Sequence, residues 1–99
     1  MGKLRAVVIG INYTNDPLRR LEGAVSDAKR IKMYLEQQGF EKENIILLCD
    51  DSQAVERSLP TRQNIIDAIQ WLVKDAEAGD SLFFYFGGHG GFEIQLFLQ

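Results

Sequence analysis

Residues 4–11, LRAVVIGI, form a short run of mostly apolar, β-branched residues. Apolar side chains at consecutive rather than alternate positions suit a strand covered on both faces. The polar stretch from Asn12 to Arg20, which holds Pro17, reads as a loop. From about Ala24 to Gln38 the period changes. Ala24, Ala28, Ile31 and Leu35 fall at helical spacing, with Lys29, Arg30, Lys32 and Glu36 turned outward. Gly39, tolerant of positive φ, ends this helix. Asn44 to Cys49, NIILLC, is a second buried strand, and Asp50 to Leu59 a polar loop. Pro60-Thr61 opens a second helix with Thr61 as its N-cap and an apolar stripe of Ile65, Ile66, Ile69, Leu72, Val73 and Ala76. After the Gly79-Asp80 turn, SLFFYF (Ser81 to Phe86) is a third strand.

The resulting β-α-β-α-β order predicts an α/β fold, a three-layer parallel sheet with helices on both faces. Its strand order is expected to be 2-1-3, so the chain changes direction between strands 1 and 3. Ligands and active sites gather at the carboxyl ends of strands flanking such a reversal. Strand 1 runs out into Asn12-Tyr13, and strand 3 into Gly87-Gly88-His89-Gly90-Gly91.

Composition narrows the picture without redirecting it. With 99 residues there is room for one small domain, and 45% hydrophobic with 25% charged residues is an ordinary globular balance. No repeat, low-complexity tract or linker divides the chain. A net charge of −3 argues against nucleic acid as the main partner. No apolar run approaches the roughly 20 residues of a membrane helix. The first residues, MGKLRAVVIG, do not resemble a signal peptide, and Ala6 stands where a myristoylation signal wants Ser or Thr. The single cysteine, Cys49, has no internal disulfide partner, so a cytoplasmic or nuclear setting is expected.

The candidate chemistry lies in GGHGG. Glycines give the backbone unusual freedom and let other groups approach it closely. An imidazole presented on such a turn, with an unperturbed pKa of ~6.5, can gain or lose a proton near neutrality. His89 is therefore a candidate general base or half of a cysteine–histidine pair, and the Gly90 amide beside it a candidate oxyanion donor. The bland alternative is an incidental surface histidine in a glycine-rich loop. Other motifs fail. There is no G-x-x-x-x-G-K-[ST] phosphate loop, and GGHGG lacks the dinucleotide-binding spacing. One His and one Cys, 40 positions apart, make no zinc site. A receiver domain would need acidic residues after strand 1 and an aspartate after strand 3, where Asn12-Tyr13 and His89 stand.

The strand AVVIGINY, the segment LEGAVSDAKR, the run PTRQNIIDAIQWLVKDAEAGDSLFFYF and the motif GGHGG together resemble type I metacaspases over about Leu4 to Gly91. That resemblance implies a caspase-like α/β fold and cysteine endopeptidase chemistry, with cleavage after Arg or Lys, commonly with calcium. Position by position, His89 matches the family's catalytic histidine and Gly90 its oxyanion-hole amide. Asp27 matches a carboxylate that helps form the pocket for a basic side chain, a role suited to an Arg or Lys head group. The plainer reading of Asp27 is a helix-start carboxylate favoured by the macrodipole. The sequence departs from the family pattern at Ala24, usually cysteine, at Ser26, usually asparagine, and at Gly87, usually serine.

The resemblance is expected to stop at Gly91, leaving residues 1–91 as a partial caspase-like catalytic domain cut after the third strand and 92–99, FEIQLFLQ preceded by Gly91, as a divergent tail. In caspase-type enzymes the nucleophile lies about 50 residues after the histidine, whereas ten residues follow His89 here. The nucleophile and the calcium ligands are thus expected to be absent from this chain, with no cofactor of its own. Cys49 is a poor substitute, because Asp50 and Asp51 follow it and adjacent carboxylates raise a thiol's pKa. Its expected role is that of a small buried apolar residue. Two functions follow: a histidine-bearing part of a peptidase acting on Arg- or Lys-containing proteins, inactive alone, or a non-catalytic chain that modulates a full-length metacaspase. The second, like self-association, would use an edge on strand 3 that stays open if the mostly apolar tail, Phe92 to Leu98, is unstructured, the reading favoured here, rather than folded back as a makeshift strand.

Overall fold

The computed structural model describes residues 2–12, 18, 23–51, 55–88 and, for the backbone, 92–97. Strand β1 (Leu4–Gly10) is followed by helix α1 (Ala24–Gln37), strand β2 (Ile45–Cys49), helix α2 (Arg62–Val73), strand β3 (Ser81–Gly87) and strand β4 (Phe92–Phe97). The sheet order is β2-β1-β3-β4. Both β2 and β3 run parallel to β1, in register Gly10 with Cys49 and Gly10 with Gly87. The expected α/β class and the 2-1-3 reversal are both present.

Strand β1 is the centre of the molecule, and Ala6 to Ile9 are fully buried. Alternation along the strand sends Ala6 and Val8 to one face, with Val25, Ala28 and Leu35 of α1. Val7 and Ile9 go to the other, with Ala68 and Leu72 of α2. This two-sided cover explains why Ala6 to Ile9 include no polar residue.

The helices end where local chemistry stops them. Thr61 caps α2 by accepting from the Asn64 amide at 3.1 Å. At the far end of α1, Gly39 has φ 101°. The amide of Phe40 donates to Leu35 and that of Gly39 to Glu36, the paired bonds of a Schellman motif. Arg5 of β1 donates to the carbonyls of Trp71 (3.2 Å) and Lys74 (2.6 Å), and its guanidinium lies 5.7 Å from the Trp71 ring centre. A cation is thereby set at the negative end of the α2 dipole.

Three expectations need correction. On α2 the expected stripe holds at Ile65, Leu72 and Ala76, which pack against the sheet, but Ile69 and Val73 are 40% and 52% exposed, while Ala68, outside the expected stripe, is buried. Ile65, Ala68 and Leu72, at spacings of three and four, face the sheet, and Ile69 is displaced from that line by one residue. On α1 it is Val25, rather than Ala24, that enters the core. Finally, β3 has no open edge. Phe92–Phe97 pairs antiparallel along its whole length, from Ser81 opposite Phe97 to Phe86 opposite Phe92. The alternating Phe-Glu-Ile-Gln-Leu pattern is that of a strand, and unpaired ladder groups beside an apolar run favour a partner.

Candidate functional site

The parallel register brings the carboxyl ends of β1 and β3 side by side. The Ile11 amide donates to the Gly87 carbonyl at 2.9 Å, one step beyond the paired Gly10 and Gly87. Gly88 follows directly. His89, Gly90 and Tyr13 lie outside the described residues.

Helix α1 begins at this same end of the sheet. A Cβ on Gly10 would come within 2.7 Å of both the Ala24 carbonyl oxygen and the Ala28 Cβ. Only glycine there lets the helix start sit directly on the strand's exit. The residue at the N-cap position, Gly23, has no side chain to offer. Asn12 substitutes for it, its Oδ1 accepting from the Val25 amide at 3.1 Å. The backbone amide of Asn12 in turn donates to Asp50 Oδ1 at 2.8 Å. One residue on, Asp51 Oδ2 pairs with Lys29 Nζ at 2.6 Å. Consecutive carboxylates after β2 thus hold α1, one through Asn12 and the other directly.

Asp27 lies in the first turn of α1, its amide bonded to the Gly23 carbonyl at 2.8 Å. Its side chain is 56% exposed and meets Arg30 at 3.4 Å. A solvent-facing carboxylate at a helix start is available to a basic ligand and is also favoured by the helix dipole.

Cys49 is on the opposite side of β1 from Gly87, separated from β3 by the central strand, and is buried. Burial pushes its thiol up, Asp51 pushes it further, and both effects keep it protonated. Lys29 is also raised, chiefly by its hydrogen bond to Asp51. Among the described residues there is no group of three or more His, Cys, Asp or Glu side chains that could hold a metal ion.

Sequence reasoning noted Asn12 at the strand exit without giving it a role, and treated Asp50 and Asp51 only as neighbours of Cys49. The available signal was an asparagine leaving one parallel strand beside two aspartates leaving the next.

Comparison with known proteins agrees with this architecture. The family model described as metacaspase, peptidase C14 domain matches residues 4–96. Metacaspase-1 of Lodderomyces elongisporus and Metacaspase-1 of Candida albicans are each 49% identical over 90 residues, 91% of this chain and 20% of theirs. Metacaspase-1A of Aspergillus oryzae is 47% identical over 91 residues, 91% of this chain and 21% of its own. The chain spans about a fifth of the length of these curated relatives.

Proposed function

This chain belongs to the metacaspase, peptidase C14 family, and from that premise we propose that it carries the histidine side of a cysteine endopeptidase site. His89 is the base that takes the thiol proton of a cysteine and returns it to the leaving amine. The Gly90 amide stabilises the oxyanion formed between those steps. Asp27 receives the Arg or Lys side chain that precedes the scissile bond.

The observation that carries this reading is the 2-1-3 order with Gly10 and Gly87 in register. It brings the segment leading into His89 to the exit of β1, next to the start of the helix that bears Asp27. Parallel α/β sheets bind ligands at such a reversal.

The nucleophile is not Cys49. It is the one cysteine among the 99 residues, and it is buried, held as a thiol and on the wrong side of the central strand. The 99 residues by themselves therefore do not hydrolyse Arg- or Lys-ended peptide reporters. Turnover by the isolated chain that disappears in His89→Ala would overturn this statement.

The role of His89 is tested where a nucleophile is supplied. In a chimera, residues 4–96 replace the matching segment of one of the curated relatives. His89→Ala is expected to lower kcat on Arg-ended reporters by about 10²–10⁴-fold, with Cys49→Ala leaving it unchanged. A His89→Ala chimera as active as its parent would remove the reading.

A further inference from the structure

We propose that Asn12 is a positioning residue for recognition of the basic side chain: it sets the first turn of α1, and with it the Asp27 carboxylate, against the carboxyl end of the sheet. The inference rests on the reading of Asp27 as the group that takes an Arg or Lys head group.

A helix start leaves its first amides without intrahelical partners, and a capping side chain usually meets one of them. Here the capping position is Gly23, at φ 94° and with no side chain. The missing acceptor comes instead from Asn12, on the exit of the central strand, through Oδ1 to the Val25 amide at 3.1 Å. Because this cap is remote, it ties the helix start to the sheet as well as completing the helix. Asn12 is itself held from the other side, its amide donating to Asp50 Oδ1 at 2.8 Å. Three elements, β2, β1 and α1, are joined through this one side chain and its backbone.

Asp27 stands two residues beyond Val25, so its Cα goes where the first helical turn goes. Its side-chain contact among the described residues, Arg30 at 3.4 Å, is an exposed pair of i,i+3 spacing and a weak tether. The Lys29–Asp51 pair secures the next part of the turn but leaves the Val25 amide unmet. The position of the carboxylate is thus set through the backbone, and Asn12 is the side chain that sets it. When the helix start frays, the fraction of molecules with Asp27 in place falls, and apparent affinity falls by the same factor.

The test uses the full 99-residue chain and Nα-acetyl-arginine amide as probe, titrated by two-dimensional amide NMR. The wild type is expected to bind with shifts at Asp27 and its neighbours, and Asp27→Asn to lose that binding. Asn12→Ala should weaken binding about fivefold, the size of one lost cap, and lower hydrogen-exchange protection of the Val25 amide while β1 and β3 stay protected. Asn12→Asp, which keeps the acceptor and the shape, should restore both. Should the alanine variant fail to fold, Asn12→Thr shortens the reach to Val25 and decides the matter by the same two readouts. Wild-type affinity in Asn12→Ala or Asn12→Thr, or an Asn12→Asp that restores neither readout, overturns the inference while leaving the Asp27 reading intact. Unchanged affinity in Asp27→Asn, or no binding by the wild type, overturns the Asp27 reading and this inference with it.

Discussion

Asp80 shows how one carboxylate can hold a turn and make its stability depend on pH. Its Oδ1 accepts from the Lys3 amide at 2.7 Å and its Oδ2 from the Glu77 amide at 2.9 Å, joining the entrance of β1 to the turn before β3. These two bonds hold its pKa below the ordinary carboxylate value. A lowered folded-state pKa contributes stability that is complete above the unfolded value of about 3.9 and is lost as pH falls through the folded one. Asp80→Asn should therefore melt below the wild type at neutral pH, with the gap closing under acid. Thermal denaturation followed by circular dichroism across pH would check it, and a gap independent of pH would contradict it. Sequence alone marked Gly79-Asp80 only as a turn, because both partners of this carboxylate are backbone amides and one belongs to residue 3. Cys49 was more legible, since its acidic neighbours are adjacent in the chain and its burial follows from its place in an apolar run.

Elements were legible where their signals are local. Thr61 precedes the first helical turn and caps it, and Gly39 follows the last turn of α1 in the conformation that ends helices. Thr61→Ala should cost about 1 kcal/mol, and Thr61→Ser should recover most of it, in urea denaturation. An equal loss in both variants would show that the hydroxyl is not the cause. The buried face of α2 was less legible. Ile65 and Leu72 were expected inside and are, but Ile69 and Val73 satisfy helical spacing beside them as well as Ala68 does, and hydrophobicity favours the larger pair. Docking chose Ala68, because its small side chain allows close approach to β1, while the bulkier Ile69 stays 40% exposed.

For the whole molecule, stability concentrates in β1, which is clamped between β2 and β3 and covered by both helices. Ile9→Ala should cost about 2–5 kcal/mol by leaving a cavity. Ile69→Ala, on a helix that periodicity alone would have turned inward, should stay within about 0.5 kcal/mol. Equilibrium denaturation of the two variants distinguishes the observed docking from the expected one. The sheet also gained a strand that the chain pattern had left open, because β4 completes the ladder of β3. Taken by itself, the order of residues determined the β-α-β-α-β succession, the helix ends and the 2-1-3 sheet. Those follow from short-range periodicity, capping chemistry and the fixed hand of parallel crossovers. Tertiary structure alone decided that Ala68 rather than Ile69 completes the buried face of α2, that β4 closes the edge of β3, and that Asn12 caps a helix starting a dozen residues later. Such contacts join groups distant along the chain, and local pattern has no means of choosing among partners that only docking brings within hydrogen-bond reach.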